Sequence, residues 1–171
     1  MSQGRAFILM GTSGSGKSSV GTALANRLGI KFIDGDDLHP RANIIKMSNN
    51  QPLNDDDRAP WLERINDAAF SLEQKNERGI IVCSALKKTY RDQIRRNNKR
   101  VRFIFLQGDF ELILNRMKRR HGHYMKTDML KSQFEILETP QDDESDIVFI
   151  SIDADFEEVV EQCATVMKPY L

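Results

Sequence analysis

The chain has 171 residues, 40% hydrophobic and 29% charged, the make-up of one globular unit with enough length for a real core. Its 25 Lys and Arg balance 25 Asp and Glu, so no excess charge exists to drive general nucleic-acid or membrane-surface binding. No apolar run approaches the ~18 residues of a membrane helix, MSQGR leads into a strand-like stretch with no signal segment, and Cys83 and Cys163 read as reduced buried thiols; the expectation is a cytoplasmic protein.

Short β-rich runs alternate with longer amphipathic ones, with no repeat, low-complexity tract or linker to divide the chain. Ala6–Met10 and Lys31–Asp34 read as strands, followed by Ile80–Ser84, Val101–Leu106 and Ile147–Ile152, each short and rich in Ile, Val or Phe. Between the first two, Ser18–Leu28 reads as a helix stopped by Gly29. A second helix is predicted from Pro60 to about Asn76, preceded by Asp55, Asp56 and Asp57, with Leu62, Ile65, Ala69 and Leu72 on one face. Phe110, Ile113, Leu114 and Met117 form another stripe, Leu130, Phe134 and Leu137 a third, and Phe156–Met167 a last helix. This alternation predicts an α/β fold, a five-stranded parallel sheet with helices on both faces, as one domain over 1–171.

Gly11, Thr12, Ser13, Gly14, Ser15, Gly16, Lys17 and Ser18 match G-x-x-x-x-G-K-[ST] at every fixed position, between a predicted strand and a predicted helix. Glycines let backbone N–H groups point inward at phosphate oxygens, and the following helix adds its positive end. Lys17 would bridge the β- and γ-phosphates of a nucleoside triphosphate, and the Ser18 hydroxyl would bind Mg²⁺. The signatures of a signalling GTPase are missing: no Asp stands three residues before any Gly, and Asn98-Lys99-Arg100-Val101 ends in the wrong residue.

The third strand ends in Ser84 rather than an acid, so a carboxylate near the metal must come from Asp34-Gly35-Asp36-Asp37 at the end of the second strand. Asp34 and Asp36 would point the same way in extended chain, and Gly35 would admit a substrate close to the backbone. Arg116 and Arg120 stand four apart on one helical face, as expected of a lid over roughly 116–138 that closes on phosphates, with Gly122 a candidate hinge. His39 either hydrogen-bonds a substrate hydroxyl or caps the next helix. Arg58 and Arg91 are candidates for an acceptor carboxylate, or structural ion-pair partners. Lys87 and Tyr90 face the same cleft in this reading, Trp61 belongs to the core, and Ser132 and Gln133 either touch substrate or lie on an exposed face.

FILMGTSGSGKSSVG, FIDGDDLHP, PLNDDDRAPWL, VCSALKKTYRD, RMKRRHGHYM and LKSQFEILETP, in this order, closely resemble the gluconate kinases from about Phe7 to Asp155. The resemblance implies a P-loop small-molecule kinase fold, Mg²⁺-dependent transfer of the γ-phosphate of ATP to the 6-hydroxyl of D-gluconate, and a cytoplasmic homodimer. It also implies roles: Asp34 holding Mg²⁺ through water, Asp36 taking a hydrogen bond from the accepting hydroxyl, Arg116 packing on adenine and Arg120 touching the transferred phosphate. Ile152-Asp153-Ala154 would cradle the adenine. Two other readings stay open on the residues alone. A nucleoside monophosphate kinase would share loop, sheet and lid, and a regulatory module would bind ATP without using paired acids.

Overall fold

The computed structural model describes residues 3–121 and 127–171, the side chains of Arg120 and His121 excepted. In chain order the elements are β1 (Arg5–Met10), α1 (Lys17–Leu28), β2 (Lys31–Asp34), α2 (Arg41–Ser48), α3 (Asp55–Gln74), β3 (Arg78–Val82), α4 (Lys88–Arg95), β4 (Val101–Gln107), α5 (Phe110–His121), α6 (Thr127–Ile136), β5 (Ile147–Ser151) and α7 (Phe156–Met167). The five strands form one parallel sheet in the order β2-β3-β1-β4-β5. β1 is central, with Phe7 opposite Ile80 of β3 and Arg102 of β4. Residues 6–10 are all buried, as a strand covered on both faces requires.

Side-chain alternation along the strands divides the core in two. Phe7 and Leu9 face α1, α5 and α7, where Leu24, Ile113 and Cys163 fill the layer. Ala6, Ile8 and Met10 face α3 and α4, where Leu62, Ile65 and Ile94 are fully buried. Each fully buried Leu, Ile or Phe contributes about 1.5–3 kcal/mol. Cys83 and Cys163 are free and buried, and burial pushes both thiols up to about 12. Among the described residues no helix is long and apolar enough to cross a membrane.

Three features differ from the sequence expectation. α3 starts at Asp55 rather than near Pro60: Asn54 accepts from Asp57 N–H at 2.8 Å and Asp57 accepts from Asn54 N–H at 3.0 Å, a reciprocal cap. Three acids in the first turn suit the helix dipole, and Pro60 lies inside the helix. α2 and α4 were not anticipated. α2 turns Ile44, Ile45 and Met47 to solvent and buries only Asn43, so it carries no core-facing apolar stripe. α4 buries Tyr90 and Ile94 together with a charged residue, Arg91, which hides its periodicity.

The strands all end on one side, and ligands of such sheets bind outside their carboxyl ends. There the loop after β1, the acids after β2 and the segment after β3 come together.

Candidate active site

The phosphate loop is wound tightly by its own residues. Gly14 and Gly16 have φ of 76° and 96°, in the left-handed region, and a Cβ on Gly14 would meet the Met117 side chain at 2.4 Å. Ser15 Oγ donates to the Thr12 carbonyl at 2.8 Å, burying both residues under the loop. α1 begins at Lys17, so the N–H groups of Lys17 and Ser18 have no carbonyl within the helix to bond. Lys17 Nζ donates to the carbonyls of Gly11 at 2.9 Å and Thr12 at 2.8 Å. Burial lowers its ammonium to about 8, with the nearby Asp36 carboxylate the strongest opposing influence. A cleft of about 520 Å³ opens beside the loop between α5 and the β5–α7 connection, lined by Gly14, Arg116, Ile152 and Ala154 among others. Arg116 Nη2 donates to the Ala154 carbonyl at 3.1 Å across its mouth.

The acids after β2 are brought together by a turn, which corrects the extended-chain picture. Asp34 ends the strand and caps a 3-10 turn, Gly35–Leu38, its Oδ1 accepting from Asp36 N–H at 3.0 Å. Gly35 is needed for a different reason from the one expected. A Cβ there would lie 2.2 Å from the Val82 carbonyl, so the close approach is to the protein's own β3. Asp36 keeps contact with solvent, yet the protein packed around it raises its carboxyl above the usual range, and Asp34 pushes the same way.

His39 closes this turn rather than capping the next helix, a place taken by Pro40. It is buried and stacks on Trp61 with ring centroids 4.2 Å apart. Trp61 is therefore core and site wall together, its Nε1 donating to the Gly35 carbonyl at 2.7 Å. Asn43 Nδ2 donates to the Asp57 carbonyl at 2.9 Å and pairs with His39 Nδ1 at 3.1 Å. Nδ1 is then the acceptor, which leaves Nε2 carrying the proton of a neutral ring. Burial lowers the His39 pKa, consistent with that form, although Asp36 opposes it.

Arg58 and Lys87 converge on a carboxylate, that of Asp55. Lys87 Nζ lies 3.3 Å from each oxygen of Asp55, and Arg58 Nη1 lies 3.9 Å from Oδ1. Tyr90 links them, donating to Asp55 Oδ1 at 2.5 Å and accepting from Arg58 Nη1 at 3.2 Å. The Tyr90 bond, then the Lys87 bond, hold the Asp55 carboxyl below its ordinary range. Leu53, Asn54, Asp56 and Ile136 complete this recess. Asp55 and Asn43 were missed; the acids before α3 read as helix-start residues, and nothing local marks Asn43.

Arg91 is a correction. Its guanidinium is buried and fully engaged, donating to both Glu144 oxygens at 2.7 and 2.8 Å and to the carbonyls of Ala85 and Glu138 at 2.9 Å. Burial alone would raise the Glu144 carboxyl, but the bonds from Arg91 and Arg95 lower it. Arg91 is a structural tie between α4 and the segment before β5, closed to any substrate. Gln133 reaches the phosphate loop instead of an open face, with Ser13 as its partner. The Arg120 side chain and Gly122 lie outside the described residues.

The donors available for Mg²⁺ are the exposed Ser18 hydroxyl at the start of α1 and the Asp34 carboxylate, both hard oxygens of the kind that ion prefers. Among the described residues no three His, Cys, Asp or Glu side chains converge to hold an ion unaided. Phosphate oxygens and water would have to complete its shell, the usual arrangement for Mg²⁺ in phosphoryl transfer.

The family model described as shikimate kinase matches residues 13–168. The thermosensitive gluconokinase of Escherichia coli K12 is 60% identical over 94% of this chain and 86% of its own. The thermoresistant gluconokinase of the same organism is 52% identical over 95% and 93%. A crystal structure of a gluconokinase from Sinorhizobium meliloti 1021 superposes with a TM-score of 0.87 at 39% identity, covering 99% of this chain and 94% of that one.

Proposed function

Because the chain belongs to the gluconokinase family of P-loop kinases, we propose that it transfers the γ-phosphate of ATP to the 6-hydroxyl of D-gluconate, giving 6-phospho-D-gluconate and ADP. The observation that carries the acceptor assignment is the wall of Arg58, Lys87 and Tyr90, which already binds a carboxylate, that of Asp55. A sugar acid offers the same group. Its carboxylate meets Arg58 and Lys87, and its far end reaches toward Asp36.

The nucleotide follows the loop. Its phosphates take the N–H groups at the start of α1 and draw Lys17 Nζ from the carbonyls of Gly11 and Thr12. Adenine lies in the cleft beside Arg116, Ile152 and Ala154. Ser18 and, through water, Asp34 would hold Mg²⁺, which would supply charge neutralisation at the phosphates. Asp36 accepts a hydrogen bond from the attacking hydroxyl, aims the oxygen in line and takes its proton as the bond to phosphorus forms. Its raised pKa strengthens it as a base. His39 Nε2–H donates to an acceptor hydroxyl, and the end of α5 with α6 forms the cover over the loop.

The same reading places the protein in the cytoplasm, with ATP, and as a homodimer. The exposed apolar face of α2, Ile44, Ile45 and Met47, supports the dimer, which sedimentation would reveal. The decisive test is ADP release with D-gluconate, shikimate, AMP, glucose and glycerol as acceptors. Gluconate alone should rise well above background; AMP at an equal rate would move the protein to the nucleotide kinases.

A further inference from the structure

α6 touches both halves of the site. In its last two turns Gln133 pairs with Ser13 of the phosphate loop. Its Oε1 accepts from Ser13 N–H at 2.7 Å, and its Nε2 donates to Ser13 Oγ at 2.8 Å. A backbone N–H can only donate, so the orientation of the amide is fixed by its partner. Three residues on, Ile136 lines the recess that holds Arg58, Lys87 and Asp55. Just beyond the helix, Glu138 is tied to the segment carrying Lys87. Its N–H donates to the Leu86 carbonyl at 2.8 Å, and its Oε1 accepts from Lys88 N–H at 2.9 Å. Phe134 packs edge-on against Phe110 of α5, centroids 5.6 Å apart, which seats the helix sideways.

We propose that Gln133 is a positioning residue through which acceptor binding sets the phosphate loop. The inference rests on the acceptor reading above. Gluconate at Arg58 and Lys87 bears on Ile136 and on the Leu86–Lys88 segment. Gln133 lies only about 4.5 Å along the helix from Ile136, at 1.5 Å per residue, so a shift at one is felt at the other. Gln133 then holds Ser13, and with it the loop, in the geometry that receives the γ-phosphate. Coupling of this kind is reciprocal: gluconate tightens ATP by the same factor that ATP tightens gluconate.

The test is calorimetric titration of the β,γ-imido analogue of ATP with Mg²⁺, without and with saturating D-gluconate. It is made on the wild type, Gln133→Ala, Ser13→Ala and the double variant. In the wild type gluconate should tighten the analogue about fivefold or more, within the usual span of allosteric coupling. Gln133→Ala, which removes both hydrogen bonds, should abolish most of that gain; Ser13→Ala, which removes only the bond to Oγ and leaves the one from the backbone N–H, should lose less, and the double variant should be no worse than Gln133→Ala. Gln133→Ala should bind gluconate alone as the wild type does. Coupling that survives Gln133→Ala, or additive losses in the double variant, would overturn the proposal. A weakened affinity for gluconate alone would also overturn it, making Gln133 a substrate contact. A wild type that turns over gluconate without coupling sinks this inference alone, whereas one that neither binds nor phosphorylates gluconate sinks the acceptor reading beneath it.

Discussion

The nucleotide side and the acceptor side of this cleft are built on different plans. The phosphate loop is eight consecutive residues whose geometry is set by glycines at positive φ, by Ser15 and Lys17 folding onto loop carbonyls, and by the start of α1. The proposed acceptor wall is assembled from Asp36 and His39 after β2, Asn43 on α2, Asp55, Arg58 and Trp61 on α3, and Lys87 and Tyr90 after β3. Local construction winds the phosphate loop from its own residues, and Gln133 of α6 reaches it from far along the chain. Composite construction makes the acceptor site depend on how helices are held, and gives one fold freedom to change acceptor without changing donor.

The sharpest test of this division is Asp36→Asn, which keeps the shape at the boundary but removes charge and basicity. A fall of about 10²–10⁴-fold in kcat is expected, the range for loss of a positioned acid–base group. The affinity for ATP, measured by titration, should change little. Asp34→Asn should instead raise the Mg²⁺ concentration needed for half-maximal rate. Rescue of Asp36→Asn by excess Mg²⁺, with none for Asp34→Asn, would exchange the two roles.

Arg91 and Arg58 test the composite plan from two directions. Arg91→Ala leaves Glu144 buried without its main partner, so a loss of about 3–5 kcal/mol in unfolding free energy is expected, read by urea denaturation. Arg58→Ala should scarcely change stability but should raise KM for gluconate, since its head group is partly open to solvent and aimed at the recess. If both variants changed KM with equal stability, the division of labour between the two arginines would fail.

The third test lies on the nucleotide side. Burial brings the Lys17 ammonium down to about 8 in the free protein, and phosphate anions favour the protonated form. Binding above pH 8 therefore takes up a proton, and affinity must fall as pH rises, by up to about tenfold per unit from one group. Titration of the imido analogue between pH 7.5 and 9.5 should show that fall. Lys17→Arg should bind less well at pH 7.5 and show no such fall, because a guanidinium stays charged. A flat profile in the wild type would mean that Lys17 is not the residue that meets the phosphates.

The same contrast explains what could be read from the sequence. The five strands, the phosphate loop and the α1 stop at Gly29 were legible because each is encoded in adjacent residues. The acids after β2 were legible as a cluster, but their turn and the role of Gly35 were not, because the constraint is the Val82 carbonyl on another strand. Arg58 and Arg91 carry the same chemistry in the sequence. Only the fold shows one facing a recess and the other enclosed by Glu144, Ala85 and Glu138. α2 escaped notice because its apolar residues point outward, and Asn43 because its partners His39 and Asp57 are set by helix packing.

The smallest expected effect concerns Asp55, and it bears on how the acceptor wall is tuned. Its carboxylate occupies the cationic recess, touching Lys87 and Tyr90 and facing Arg58. A substrate carboxylate must either displace it or share its partners. In both cases the negative charge of Asp55 opposes binding through solvent-screened repulsion, because the residue is exposed. Asp55→Asn keeps an oxygen for the Tyr90 hydroxyl and removes that charge, so KM for gluconate should fall a few-fold while kcat stays close to the wild-type value. The effect should shrink as salt is raised from 50 to 500 mM, which separates repulsion from a change of shape. Asp55 also sits in the first turn of α3, where an acid is favoured by the helix dipole, so a small loss of stability should accompany the gain. If KM rose instead, Asp55 would be holding Arg58 and Lys87 in place for the substrate, and the recess would be an organised site rather than a self-occupied one.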